Sequence, residues 1–392
     1  MRAHGLVKDK KENYGMRVAI VTLPLHTNYG GILQAYALRR VLLDQGHQCD
    51  LIDRECKLVM PAAWKMPFVI MKRMVKNTLH IGHGPEVFRE KRIMKELPVV
   101  GAEVLRFTDK YISPRVVRKY SDIRLGEYDA FVVGSDQVWR PVYFGNIEDA
   151  FLKFTEHWNV KRVAYAASFG TDVLEYSYEE LEACTPLLTK FDAVSVREAD
   201  AVQICDEWFE REDAVHVLDP VMLLDSKHYA GLAADSAMRP AKGKVLTYIL
   251  DESSEKMAVA QLVSKWVSAE IHDASVYPRN LRRPISERIV PSMGQWLSCF
   301  EDAEFVVTDS FHGCVMSILF HKPFLVVGNP GRGLSRITSL LEMFGLEDRL
   351  VQGIDPEDDG EYYITGIDWD RVDSLLEEYR AKSMDFLRKS LR

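Results

Sequence analysis

A Ser-Phe-His-Gly cluster stands where two periodicities meet: residues Thr308 to Val327 read TDSFHGCVMSILFHKPFLVV. The β-branched EFVVT run (Glu304 to Thr308) predicts a buried strand, apolar residues from Cys314 to Phe320 recur at helical spacing, and Pro323 opens another strand. The cluster is therefore expected at a strand-to-helix turn. In open α/β sheets such turns lie at the carboxyl edge, where ligands bind, and backbone N–H groups at a helix start favour anions. His312 has an unperturbed pKa near working pH, so it can supply a proton or a positive charge there. A structural histidine satisfied by backbone is the alternative. Gly313 would let a backbone approach closely. Ser310 and Asp309 fit either ligands or helix N-caps. Ser310 ranks above Asp309 as a ligand, because a carboxylate repels a multiply charged anion.

Other residues of the right types follow other predicted strands. Arg197 ends AVSVR and carries the planar fork that binds carboxylate or phosphate bidentately; a salt bridge to Glu198 or another carboxylate explains it as well. Arg336, in GRGLSRI, begins a predicted helix and is expected to meet an anion from the opposite side, or else simply to start the helix. In TNYGGILQ (Thr27 to Gln34), Asn28 and Gln34 offer amides suited to hydroxyl recognition, beside Gly30 and Gly31, which a tight turn alone would explain. GSDQVW (Gly134 to Trp139) combines Asp136, Gln137 and Trp139, types that hydrogen-bond to sugars and stack on them. Asp136 is the candidate base or hydroxyl ligand, with a turn-forming aspartate as its alternative. Ser168 and Gly170, in AASFG, end another strand and are expected to line the same cleft.

The elements that must position these groups form a strand-then-helix rhythm. RVAIVTL (Arg17 to Leu23), a helix from Gly31 to Gly46 and QCDLID (Gln48 to Asp53) make a βαβ unit. DAFVVGS, RVAYAAS, AVSVR and AVHVL continue one sheet; VLTYIL, a short strand near Ala274 to Tyr277, EFVVT and PFLVVG build a second. The predicted class is α/β, two facing Rossmann-like domains over residues 16–219 and 220–350, with a connector and helix over 351–392. A helical insertion over about 57–118 interrupts the first. Within it PAAWKMPFVIMKRMVKN mixes aromatic and basic residues; a helical cap with a solvated face is the favoured reading, and contact of Trp64 to Asn77 with an anionic membrane surface is the other.

Composition limits the partners. The chain has 392 residues, 47% hydrophobic and 28% charged, enough for two cores, and a net charge of -8 that argues against a nucleic-acid partner. Six cysteines without CxxC pairing suggest free thiols in a reducing cytoplasm and no zinc site. No run of about 20 apolar residues exists, so neither a membrane span nor a secretory signal is expected, and residues 1–15 read as a frayed extension.

Six motifs in order, HTNYGGILQAYAL (His26 to Leu38), VVGSDQVWRP (Val132 to Pro141), YAASFG, VSVRE, LDPVMLL (Leu218 to Leu224) and VVTDSFHG (Val306 to Gly313), make the chain resemble the polysaccharide pyruvyl transferase family. The resemblance implies a fold similar to GT-B glycosyltransferases. It also implies phosphoenolpyruvate as donor, with no other cofactor and no metal, and a pyruvate ketal on a sugar of a surface polysaccharide as product. Such a donor needs several cations and anion-binding backbone close together, so a cationic pocket is expected. His312 is then the acid and Asp136 its partner in catalysis. Arg197, Ser310, Gly313 and Arg336 fall on the donor side; Asn28, Gly30, Gln34, Gln137, Trp139 and Ser168 fall on the acceptor side. The acceptor is expected on a polymer or a lipid-linked repeat at the inner face of the membrane. Alternatives are a GT-B-like enzyme using a nucleotide sugar and a non-catalytic glycan-binding relative. A hydrolase triad from Ser310, His312 and Asp309 is disfavoured by their close spacing and the lack of a GxSxG elbow.

Overall fold

The computed structural model describes residues 15–54, 68, 70–72, 89–329 and 333–392. Its first sheet contains β1 (Arg17–Val21), β2 (Gln48–Arg54), β3 (Arg115–Val117), β4 (Ala130–Val133), β5 (Lys161–Ala167), β6 (Ala193–Val196) and β7 (Val215–His216). The second contains β8 (Val245–Tyr248), β9 (Ile271–Asp273), β10 (Phe305–Thr308), β11 (Phe324–Val327) and β12 (Leu350–Val351). Spatial orders are β3-β2-β1-β4-β5-β6-β7 and β12-β11-β10-β8-β9, with parallel pairing throughout. Parallel sheets are covered on both faces, which is why AFVV, FVVT and FLVV are buried at every position. Strand order reverses between β1 and β4 in one sheet and between β8 and β10 in the other. Ligands of open α/β sheets bind at the carboxyl ends beside such reversals.

The helices that matter for the site are α1 (Tyr29–Asp44), α2 (Arg89–Val100), α3 (Ala199–Phe209), α4 (Ser254–Trp266), α5 (Phe311–Leu319), α6 (Ser335–Phe344) and α7 (Trp369–Ser390). The two halves are cemented by apolar contact. Tyr29 of α1 stacks on Trp296 of the second half at 4.9 Å, and its hydroxyl donates to the Pro291 carbonyl at 2.7 Å. The long α7 crosses back: Leu218 N–H donates to Ser383 Oγ at 3.0 Å, and Trp369 stacks on His321 at 4.9 Å.

Two boundaries differ from the sequence reading. The insertion does not reach residue 118, because Arg115–Val117 pairs with Ile52–Arg54 as a sheet strand. The strand expected near Ala274 to Tyr277 lies at Ile271–Asp273, where it pairs with β8. Residues 1–14 and most of Trp64 to Asn77 lie outside the described residues; of the latter, Phe68 and Met71 are exposed. The described end of the insertion works as a strap between domains: Glu96 of α2 pairs with Arg288, and Val290 N–H donates to the Val100 carbonyl at 2.8 Å.

Candidate active site

The reversal between β1 and β4 is locked by side chains. Gln34, 1% exposed, donates from Nε2 to Thr22 Oγ1 at 3.0 Å and to the Gly31 carbonyl at 2.9 Å, while its Oε1 accepts the Ser135 N–H at 2.9 Å. Thr22 Oγ1 in turn donates to the Ser135 carbonyl at 3.1 Å. Gln34 thus shapes the turn rather than reaching for a hydroxyl. The turn delivers Asp136 with φ at 69°, a left-handed conformation that a short polar side chain tolerates. Its carbonyl accepts the Val138 N–H at 2.7 Å and the Ser168 N–H at 3.1 Å, fixing the carboxylate's direction.

Among the described residues, five ionisable groups from four other segments converge around Asp136. Arg197, just past β6, donates from one guanidinium nitrogen to Asp219 Oδ2 at 2.8 Å and from another to Asp136 Oδ1 at 3.1 Å. Its face lies over the Phe311 ring, 4.4 Å from the centroid. Asp219 Oδ2 also accepts from Ser135 Oγ at 3.1 Å, and its Oδ1 accepts the Val221 N–H at 3.0 Å. His312 Nε2 stands 3.8 Å from Asp219 Oδ2, buried and without a hydrogen-bond partner among the described residues. Glu198 Oε1 accepts the N–H groups of Phe169 at 2.9 Å and Gly170 at 3.3 Å. Arg336, at the start of α6, completes the cluster and is buried too.

Burial and mutual charge shift these groups in different directions. Burial disfavours charge on Arg197, but Asp136, Asp219 and Glu198 more than compensate and raise its pKa. Burial works against ionising Asp136 as well; the fields of Arg197, His312 and Arg336 outweigh it and hold the carboxyl below its usual range. Burial raises Glu198, with Arg197 and Arg336 opposing. It lowers His312 despite the pull of Asp219 and Asp136. Arg336 is lowered to about 10 by burial and by its neighbour Arg197.

The expected cationic pocket is therefore corrected. Among the described residues two guanidiniums and an imidazole are matched by three carboxylates, since buried guanidiniums without counter-charges would carry a large desolvation cost. The site is also closed. A Cβ on Gly30 would stand 2.1 Å from His312 Nδ1, and one on Gly333 would stand 2.0 Å from the Gly170 carbonyl oxygen. Both are contacts of one domain on the other. A third joins them, Ala199 N–H of α3 donating to Ser339 Oγ of α6 at 3.1 Å.

Other sequence candidates have defined places. Ser310 is the N-cap of α5, its Oγ accepting the Gly313 N–H at 3.4 Å. Gly313 makes room for a neighbour within the fold, because a Cβ there would be 2.3 Å from Thr308 Oγ1. Asp309 is spent on the second sheet's edge, accepting from Leu250 N–H at 2.6 Å and Lys256 Nζ at 2.7 Å. Asn28 is exposed at the N-cap of α1, near Gly31 and so near Asp136. Gln137 Oε1 accepts from Arg140 at 3.1 Å. Ser168 is buried, its Oγ accepting the Gly170 N–H at 3.0 Å. Trp139 does not suit the sugar-stacking role expected of it: it is 0% exposed, stacked on Phe151 at 5.2 Å, with Nε1 donating to the Ala150 carbonyl at 3.3 Å. Asp219 and Ser135 escaped the sequence reading. Asp219 lies in the LDPVMLL motif, but an aspartate before proline reads as a cap, which its Oδ1 indeed is.

Facing parallel sheets with a polar cluster sealed between their carboxyl edges define a two-domain α/β protein with its candidate site at the domain junction. Residues 28–331 match the polysaccharide pyruvyl transferase family, and the chain belongs to that family. No curated protein matches it. Among solved structures it is similar to the UDP-GlcNAc 2-epimerase of Neisseria meningitidis bound to UDP-GlcNAc, with 11% identity and a TM-score of 0.48 over 96% of this chain and 99% of that one. Another is UGT89C1 of Arabidopsis thaliana, with 9% identity and a TM-score of 0.48 over 96% and 100%.

Proposed function

We propose that the protein transfers the pyruvyl group of phosphoenolpyruvate to two hydroxyls of one sugar, as a cyclic ketal, on a surface polysaccharide or its lipid-linked precursor. Family membership supports the reaction class. The convergence of Arg197, Asp136 and His312 supports the assignment of this site to it, since three segments far apart in sequence bring a carboxylate-binding fork, a base and an acid together.

In this reading the domains part at the Gly30–His312 and Gly170–Gly333 contacts to admit substrates. Arg197 takes the donor's carboxylate and Arg336 its phosphate. His312 gives a proton to the methylene carbon, turning the enol carbon into an oxocarbenium-like centre. One sugar hydroxyl bonds to that carbon and releases its proton to Asp136. The carbon–oxygen bond to phosphate then breaks, and the second hydroxyl closes the ring, its proton leaving with the phosphate. One π bond and one C–O bond are lost; one C–H and two C–O bonds form. A lipid-linked acceptor would place this chemistry at the inner face of the membrane; no described helix is long and apolar enough to cross one.

The test is incubation with phosphoenolpyruvate and a panel of oligosaccharides, following phosphate release and the ketal by mass spectrometry. Acceptor-dependent phosphate with a ketal product is the expected result. Absence of both with every acceptor would refute the reading.

A further inference from the structure

Asp219 has no role in the steps above, yet it sits at the centre of the cluster. Its Oδ2 receives Arg197 at 2.8 Å and Ser135 Oγ at 3.1 Å, and lies 3.8 Å from a His312 Nε2 that no described residue hydrogen-bonds. One oxygen is thus shared between the group that would bind the donor and the group that would protonate it. Among the described residues, the charged groups facing His312 are Asp136 after β4, Arg197 after β6, Asp219 after β7 and Arg336 on α6; α1 presents the uncharged Gly30. Asp219 is the carboxylate nearest to Nε2, and a closing movement of about 1 Å would make a charge-assisted hydrogen bond.

We propose that Asp219 is a positioning residue that arms His312 only when the donor is present. The donor's carboxylate draws Arg197 away, and the released Asp219 oxygen then holds a proton on His312 Nε2. Without donor, Arg197 occupies Asp219 and the buried imidazole stays neutral. With donor, one proton enters from solvent for each molecule bound, so that both ring nitrogens carry a proton and Nδ1, the nitrogen facing Gly30 across the junction, can give its own to the methylene carbon while Asp219 keeps the one on Nε2. This inference rests on the proposed identity of the donor. It also explains why carboxylates match the guanidiniums: they occupy Arg197 until a better anion arrives.

Calorimetric titration with phosphoenolpyruvate alone, at pH 7.5 to 8.5 in buffers of different ionisation enthalpy, measures the proton directly. The wild-type protein is expected to take up about one proton per donor, so that affinity falls roughly tenfold per pH unit. Asp219→Asn should still bind donor but with no uptake and a flat pH dependence, whereas Asp136→Asn should keep the uptake. Binding without uptake in the wild type, or undiminished uptake in Asp219→Asn, overturns the role of Asp219 while leaving the donor assignment intact. No binding by the wild type overturns both. Should Asp219→Asn not fold, nitrogen-15 histidine spectra of the wild type decide: His312 should be neutral when empty and an imidazolium with donor bound. An unchanged spectrum on binding refutes the proposal.

Discussion

Replacing Gly30 with alanine separates stability from activity more sharply than any other single change. Gly30 lies in the first turn of a 16-residue helix, and alanine there is worth about 0.5–1 kcal/mol in helix propensity. Against this, the new methyl would stand 2.1 Å from His312 Nδ1 and 2.4 Å from Cγ, where ordinary contact begins near 3.4 Å. The ring or the domain closure must therefore give by more than 1 Å. A displacement of that size at a reacting group costs about a hundredfold in rate, or about 2.7 kcal/mol of barrier. Gly31→Ala is the matched control: the nearest atom to its methyl is Asn28 Nδ2 at 3.5 Å, an ordinary contact. Donor-dependent phosphate release and thermal unfolding should be measured on both. Gly31→Ala should be as stable as wild type or slightly more so, and active. Gly30→Ala should unfold within a few degrees of wild type while kcat/KM falls about a hundredfold. Full activity in Gly30→Ala would refute the claim that His312 works from the position where α1 holds it.

Other consequences are as concrete. Trp139→Phe should cost about 1–3 kcal/mol in denaturant unfolding, through lost packing and the lost bond to Ala150, yet leave the acceptor KM unchanged; a large rise in KM would return Trp139 to the acceptor site. Lys256→Met strands Asp309 without its cation and should destabilise the second domain by about 3–5 kcal/mol, read in the same assay. Stability should fall as pH drops below about 6.5. His26, His47, His216, His228, His272 and His312 are all lowered by burial, His26 to about 4, so the unfolded chain takes up protons first. The stability they contribute is present above the unfolded pKa and is lost as pH falls through the folded values. Unfolding midpoints that stay constant from pH 7.5 to 5 would contradict this.

Much of the scaffold was legible because its central strands are buried on both faces. Runs such as FVVT and FLVV declare themselves through continuous apolar residues, and Ser310 before α5 carries the side chain an N-cap needs. The edges were not. β3 has three residues and β12 has two, too few for any periodicity to register. Residue types in the site were legible, but their pairing was not. Arg197 finds Asp219 and Asp136 at sequence separations of 22 and 61, distances at which only the fold decides which charges meet. Glycines misled in one respect. Gly313 and Gly30 do permit close approach, but to Thr308 and His312 rather than to a ligand. Trp139 misled because an aromatic among polar residues reads alike whether it faces a sugar or, as here, two other rings of the core, Phe151 and Phe169.

The central claim is that Arg197 and His312 act on one small anion between the two domains. A crystal structure of the protein with phosphoenolpyruvate tests it most directly. The donor carboxylate is expected within hydrogen-bonding distance of the Arg197 guanidinium, with the methylene carbon facing the His312 imidazole. Donor bound elsewhere, or Arg197 still holding both Asp136 and Asp219 with the donor in place, would contradict the claim.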